Sequence, residues 1–139
     1  MPVVSKSIRL RTKGEGDIVD ITEFIADTVR HSGLRAGIVT AFVPASTAAL
    51  TTIEYEPGLL KDLPNTLERI APKGLEYEHE KTWHDGNGHS HIRASLIGQS
   101  ISIPFVDGRV VLGRWQQVVL VELDIRSRER EVLFQIIGE

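Results

Sequence analysis

Hydrophobic and polar positions divide the chain into short segments of two periods. Residues 4–11 alternate: Val4, Ile8 and Leu10 share one face, with Lys6 the exception, and Ser5, Ser7, Arg9 and Arg11 take the other. That period of two predicts a strand. Lys13-Gly14-Glu15-Gly16 reads as a turn, because glycine supplies the positive φ that tight turns require. Residues 17–20 then read as a short strand completing a hairpin. Ile21, Phe24, Ile25, Thr28 and Val29 recur at helical spacing, with Asp20 or Thr22 as N-cap and Ser32-Gly33 as the stop.

Residues 37–43 are rich in β-formers and predict a buried strand ended by Pro44. Over residues 46–54, Thr47, Ala49, Thr51 and Ile53 alternate with Ser46, Ala48, Leu50, Thr52 and Glu54. Pro57 suits the first turn of a helix running through Leu59, Leu60, Leu63, Leu67 and Ile70, which Pro64 is expected to kink or split. Residues 71–90 are polar and glycine-containing and read mostly as loop. Three strands follow, at 100–106, 109–112 and 116–124, the first two joined by the hairpin signal Asp107-Gly108. A last strand covers 131–137. Strands with two helices inserted early predict an α+β fold, mainly antiparallel, in a single domain over residues 1–139.

Composition narrows the function. At 139 residues the chain is too short for a (β/α)8 barrel, which needs about 200. Sixteen Lys and Arg against nineteen Asp and Glu give a net charge of −3 with no basic stripe, which argues against nucleic-acid or membrane-surface binding. The absence of cysteine removes disulfides, thiolate metal sites and cysteine nucleophiles. The opening residues lack a signal-peptide pattern, and the uncharged stretch 36–53 is interrupted by Pro44 and hydroxyl residues. The expectation is a cytoplasmic protein.

Four of the five histidines, His79, His84, His89 and His91, fall within thirteen residues. Imidazole is the commonest metal donor. If residues 88–93 are extended, His89 and His91 point to one face, and the glycines of Asp85-Gly86-Asn87-Gly88 allow His84 to join them. Three ligands with one open position make a catalytic metal arrangement. The alternative is a surface turn whose histidines are incidental or act as bases. Glu54 closes an uncharged strand, as a further ligand, a general base or simply the exit into solvent. Ser46, Thr47, Thr51 and Thr52 offer hydroxyls that strands carry anyway. Arg126, Arg128 and Arg130 alternate, which suits either a phosphate clamp or a charged strand edge. Trp115-Gln116 stands directly before a buried strand, where tryptophan is commonly a core or interface anchor.

The blocks Ser46-Thr-Ala-Ala-Leu-Thr-Thr-Ile-Glu54, His84-Asp-Gly-Asn87, Ser90-His-Ile-Arg-Ala-Ser-Leu-Ile-Gly98, Gly108-Arg-Val-Val-Leu-Gly-Arg-Trp-Gln116, Glu122-Leu-Asp124 and Arg126-Ser-Arg128 together resemble the YjbQ family over essentially the whole chain. The resemblance implies a compact α+β fold with a β-sandwich-like core, a homotrimer, and the activity named secondary thiamine-phosphate synthase. Glu54, His84 and His91 match its recurring acidic and histidine positions, Asn87 the asparagine of its central loop, Trp115-Gln116 its tryptophan–glutamine pair, and Arg126 and Arg128 its late arginines. Many members carry a histidine where this chain has Ala45, and a small residue where it has His89. On this reading His89 supplies the imidazole missing at position 45.

Two functions compete. One is a metal-dependent thiamine-phosphate synthase-like transferase joining a pyrimidine diphosphate to a thiazole phosphate. In it His84, His89 and His91 hold the metal, Glu54, Arg126 and Arg128 are catalytic, and Thr47, Asn87 and Gln116 bind the cofactor. The metal is divalent, with zinc favoured by imidazoles and magnesium the alternative for phosphate chemistry. The other is a trimeric metal or small-ligand binding protein without turnover. A third, a structural trimer with histidines merely near an interface, ranks below both.

Overall fold

A computed structural model describes all 139 residues. The elements in chain order are β1 (Val3–Arg11), β2 (Ile18–Asp20), α1 (Thr22–Ser32), β3 (Ala36–Phe42), β4 (Ala48–Ile53), α2 (Pro57–Ile70), α3 (Glu78–Trp83), α4 (Gly88–Ile97), β5 (Ser100–Val106), β6 (Arg109–Val110), β7 (Gln117–Glu122) and β8 (Glu129–Gly138). Every strand pairing is antiparallel. One sheet has the order β1-β8-β3-β5-β6 and the other β2-β7-β4. The α+β expectation holds.

Alternation in the strands sorts the core. Val39, Ala41, Ile103, Phe105, Val132, Phe134 and Ile136 of the larger sheet meet Ala48, Leu50, Val118 and Leu120 of the smaller, and Ile21, Ile25 and Val29 of α1 close one side. The other face of the small sheet, Ala49, Val119 and Val121, is covered by Leu67 of α2 and Ala94 of α4. Fully burying a side chain the size of Phe134 contributes about 1.5–3 kcal/mol. The outer face of the larger sheet has no helix over it, so Ile38 and Phe42 are exposed, and only one face of the strand expected to be buried is so.

Several local expectations follow their chemistry. Gly33 ends α1 at φ +74° as expected, whereas neither Asp20 nor Thr22 is its N-cap: Ile21 holds that position without a side-chain cap, and Asp20 Oδ1 accepts from the Thr22 N–H at 3.0 Å. Asp107 and Gly108 both have positive φ, +53° and +72°, as a type I′ hairpin turn requires. Pro64 does not split α2, which runs unbroken because Leu60, Leu63 and Leu67 lean together on the small sheet.

Two expectations are corrected. Residues 18–20 are not the return arm of a hairpin with β1; β2 pairs with β7, Ile18 opposite Val121. The turn carries the chain into the other sheet, where the Gly16 N–H donates to the Glu122 carbonyl at 2.9 Å. Residues 88–93 are not extended but open α4, and within 71–90, otherwise mostly loop as expected, residues 78–83 form α3. The buried face of α4 is Gly88, His89, Ser90, Arg93 and Ala94, too polar to show an apolar period. Arg93 lies inside because its Nε donates to the Ala71 carbonyl at 2.9 Å and its Nη2 to Glu68 at 2.8 Å, which fastens α4 to α2. A Cβ at Gly88 would stand 2.7 Å from Tyr77 Cβ, so only glycine lets α4 start against the segment leading into α3.

The two sheets are joined by a buried ion pair. Glu122 on β7 is fully buried and receives Arg130 of β8, Nε to Oε1 at 2.9 Å and Nη2 to Oε2 at 2.5 Å. Thr12 donates to the same carboxylate at 2.8 Å. Glu122→Ala is expected to cost about 3–5 kcal/mol in chemical denaturation, because it strands the Arg130 charge in the interior. The exposed pair of Arg9 with Glu129 should cost well under 1 kcal/mol when broken by Arg9→Ala.

Candidate functional site

Beyond the Glu122–Arg130 pair, polar side chains from four segments converge at one end of the small sheet. Thr47, just before β4, receives Arg130 Nη2 on its Oγ1 at 2.9 Å and donates to Asp124 Oδ2 at 3.2 Å. Asp124 also takes Arg128 through Nε at 2.9 Å and Nη2 at 2.7 Å. Its Oδ1 accepts the Ile125 N–H at 2.8 Å and has the Asn87 side-chain amide 3.4 Å away. With that amide oriented as its neighbours require, its nitrogen donates to Asp85 Oδ1 at 2.7 Å and to His79 Nε2 at 3.0 Å, and Asp85 Oδ1 is 3.2 Å from the same imidazole nitrogen. His91 on α4 stacks beside His79, ring centroids 4.4 Å apart and tilted.

The electrostatics follow from these contacts. Burial lowers the pKa of His91, and repulsion from His79 lowers it further, outweighing the attraction of Asp85, Asp124 and Glu80. The imidazole therefore stays neutral with a free lone pair. Burial alone would raise Asp124, but the Ile125 N–H, Arg128 and Asn87 together hold its carboxyl below the usual range.

One group of side chains matches a metal-binding arrangement. Donor atoms of His79, Glu80 and Asp85 lie within 4.8 Å of one another. Both oxygens of Glu80 already accept backbone N–H groups, Gly86 at 2.6 Å and Gly88 at 2.7 Å, so Glu80 clasps the loop. His79 and Asp85 remain of that group as an imidazole and a carboxylate, and His91, its ring centroid 4.4 Å from that of His79, is a further imidazole beside them. His91 borders an open cleft of 420 Å³ whose walls include Phe42, Ala45, Ser46, Ser95 and Gln99. Ala45 thus faces the same cleft as His91.

The residues singled out from sequence divide between distant places. Thr47, Asn87, His91 and Arg128 join this cluster. His84 caps α3 in the left-handed region and is exposed. Because residues 88–93 are helical rather than extended, His89 and His91 point about 160° apart, at about 100° of rotation per residue. His89 is 1% exposed and bonded through Nε2 to Glu15, whose other oxygen is 3.0 Å from Lys73. Burial would raise Glu15, but the hydrogen bonds from His89 and Lys73 and their charges bring its pKa below the ordinary value. Arg126 is exposed, two residues before Arg128. Glu54 and Gln116 lie at the opposite end of β4, about 20 Å away at ~3.3 Å per strand residue.

His79, Asp85 and Asp124 were missed as site residues. The signal for Asp124 is legible, since Glu122 and Asp124 are two acids at the end of an otherwise apolar strand. His79 is visible only once residues 78–83 are known to be helical.

The depressed Asp124 carboxyl stabilises the fold above its ordinary pKa of 3.8, and that stabilisation is lost as the pH falls below 3.8 toward the folded-state value. Thermal unfolding from pH 7 to pH 2 should therefore show an acid limb that is shallower in Asp124→Asn. An unchanged limb would show that Asp124 is not a source of the acid sensitivity.

Known proteins share this sequence and architecture. The model of the family described as UPF0047 protein YjbQ-like matches residues 6–139. A UPF0047 protein of Methanothermobacter thermautotrophicus is 34% identical over 139 residues, all of this chain and 95% of that protein. A YbjQ-like protein of unknown function from Sulfolobus solfataricus has a solved structure with TM-score 0.93 at 32% identity, covering 99% of both chains. A hypothetical protein of Aeropyrum pernix superposes with TM-score 0.89 at 31% identity, covering 98% of this chain and 99% of that one. With a family match from strand β1 to the last residue and a shared fold at this identity, the chain belongs to the UPF0047 YjbQ-like family.

Proposed function

We propose that the protein is a metal-dependent enzyme acting on a small phosphorylated molecule at the cleft beside His91. The reaction to assay first is the thiamine-phosphate synthase-like condensation of a pyrimidine diphosphate with a thiazole phosphate. The observation that carries this reading is the pairing of His79 with Asp85 at 3.2 Å, with His91, which borders the cleft, stacked against the His79 ring. Zinc suits two imidazoles and a carboxylate best, with magnesium the alternative. The bound metal would supply positive charge where negative charge develops on a phosphate oxygen.

The chain's own residues do the rest. Asn87 holds the His79 ring, and Asp124 holds Asn87 and the Arg128 fork at fixed positions. Arg126, exposed and in no ion pair, is free to meet phosphate oxygens. His84 and His89 are not needed as ligands here, since His84 is exposed after α3 and His89 is taken up by Glu15.

A homotrimer is part of the proposal. The outer face of the larger sheet exposes Ile38 at 53%, Val106 at 54% and Ile137 at 46%, a patch that a second copy would cover. Light scattering should give a trimer mass that falls to a monomer in an Ile38→Lys, Ile137→Lys double variant. A wild-type monomer would overturn the assembly while leaving the metal centre untouched.

Metal analysis of the purified, untagged protein tests the centre. Near-stoichiometric metal is expected in the wild type and in His84→Ala. His91→Ala and His79→Ala should each weaken metal affinity at least about tenfold, as loss of a direct ligand does. Full metal retention in both variants would sink the reading.

A further inference from the structure

The segment that carries His79 and Asp85 is attached to the molecule differently from its neighbours. From Lys73 to Gly86 no residue is buried, although Ala71 before them and Asn87 after them both are. Helices α1, α2 and α4 each bury at least one side chain, and α3 buries none. The apolar side chains of the segment face solvent instead, Leu75 at 57% and Trp83 at 68% exposure. The hydrophobic term that holds the other helices against the sheets is therefore missing from α3.

A small set of polar contacts holds it in place. Glu80 Oε1 accepts the N–H of Gly88, the first residue of α4, at 2.7 Å, and its Oε2 accepts the Gly86 N–H at 2.6 Å. The Asn87 amide donates to His79 Nε2 at 3.0 Å, and the His79 ring stacks beside His91. Tyr77 lies against Gly88, and its hydroxyl donates to the Pro72 carbonyl at 2.7 Å. The Lys81–Glu78 pair is internal to α3 and ties it to nothing else. Lys73 is fastened separately, its N–H to Glu68 at 2.9 Å and its ammonium to Glu15 at 3.0 Å. The loosely held stretch is thus 74–86, and a glycine stands at each end of it. Gly74 has φ +88° and Gly86 φ +72°, both with open space where a Cβ would stand. Such positions absorb a change of backbone angle at little steric cost, as hinges must.

Segments with few buried apolar contacts open at a much lower free energy than the whole fold. We propose that residues 74–86 form a hinged strap that opens as a unit while the sheets and α4 stay folded, with Glu80 as its latch. The body does not need the strap. Arg93 ties α4 to α2, His89 ties it to Glu15, and the Asp124 N–H stays on the buried Glu122. Opening carries His79 and Asp85 away, whereas His91, Asn87 and Asp124 keep their places. The histidine cluster is assembled only while the strap is closed, and a ligand touching both His79 and His91 shifts the strap toward closure. Opening itself needs no metal and does not depend on the proposed chemistry.

Hydrogen exchange read by mass spectrometry on the metal-free, full-length protein tests the strap. In the wild type, amides of residues 80–86, corrected for their intrinsic rates, should exchange at least about a hundredfold faster than those of residues 92–97 in α4. Glu80→Ala removes the latch while placing a better helix former in α3, so faster exchange there reports undocking rather than a weaker helix. That variant should raise strap exchange a further tenfold or so, as the loss of charge-assisted hydrogen bonds implies, and leave β7, β8 and residues 92–97 unchanged. Glu78→Ala, which breaks only the pair with Lys81, should exchange like the wild type. Strap amides protected as well as those of α4, a Glu80→Ala strap no faster than that of Glu78→Ala, or a Glu80→Ala protein that unfolds globally would each overturn the proposal.

Discussion

The buried pair of Glu122 with Arg130 is the constraint on which the rest of the structure depends. Glu122 belongs to the small sheet and Arg130 to the large one, so their bond is a strut between the two layers. Burying two charges costs several kcal/mol each before their attraction is counted, and the cost is met only when every remaining hydrogen-bonding position is filled. Here Thr12 at the end of β1, Thr47 before β4 and the Asp124 N–H fill them. A network of this kind tolerates little displacement, because any member left unpaired stays in a low-dielectric interior. The segment between β7 and β8 is thereby held at both ends.

That fixed segment presents Asp124 to the histidine cluster. Its carboxylate is shared by Thr47, Arg128 and Asn87, and Asn87 in turn reaches His79. The line from Arg130 to His79 is therefore a continuous chain of polar contacts, beginning in the core and ending at an open cleft. Its logic is that of a supported site: the inner members are rigid and fully satisfied, and the outer members keep free lone pairs. His89, two residues and about half a helical turn from His91, belongs to the structural side of this division. Its bond with Glu15 ties the first turn of α4 to the turn after β1.

The strand pair β4–β7 acts as a ruler between two polar ends. Residues adjacent in the family-like blocks are separated by it: Thr47 and Glu54 bracket one strand, and Gln116 and Asp124 bracket its neighbour. Sequence blocks alone therefore suggested one constellation, whose members the chain holds at two ends of a strand pair. Within one copy Glu54 and the His79–His91 cluster cannot act on the same atom.

The amino-acid sequence by itself determined the strands, their antiparallel class, the Asp107-Gly108 hairpin, helices α1 and α2, and the family. These depend on period, on glycine and proline geometry and on local caps, all of which are written within a few residues. It also marked Thr47, Asn87, His91 and Arg128 as candidate residues that the fold then brought together. Only the tertiary structure decided that residues 88–97 are helical, because their buried face consists of glycine, histidine, serine and arginine whose partners lie on α2 and in the turn after β1. That one decision turned His89 inward, left His84 exposed and placed His79 and Asp85 beside His91. A polar residue's place in the interior is set by who stands opposite it, and the partner is distant in sequence.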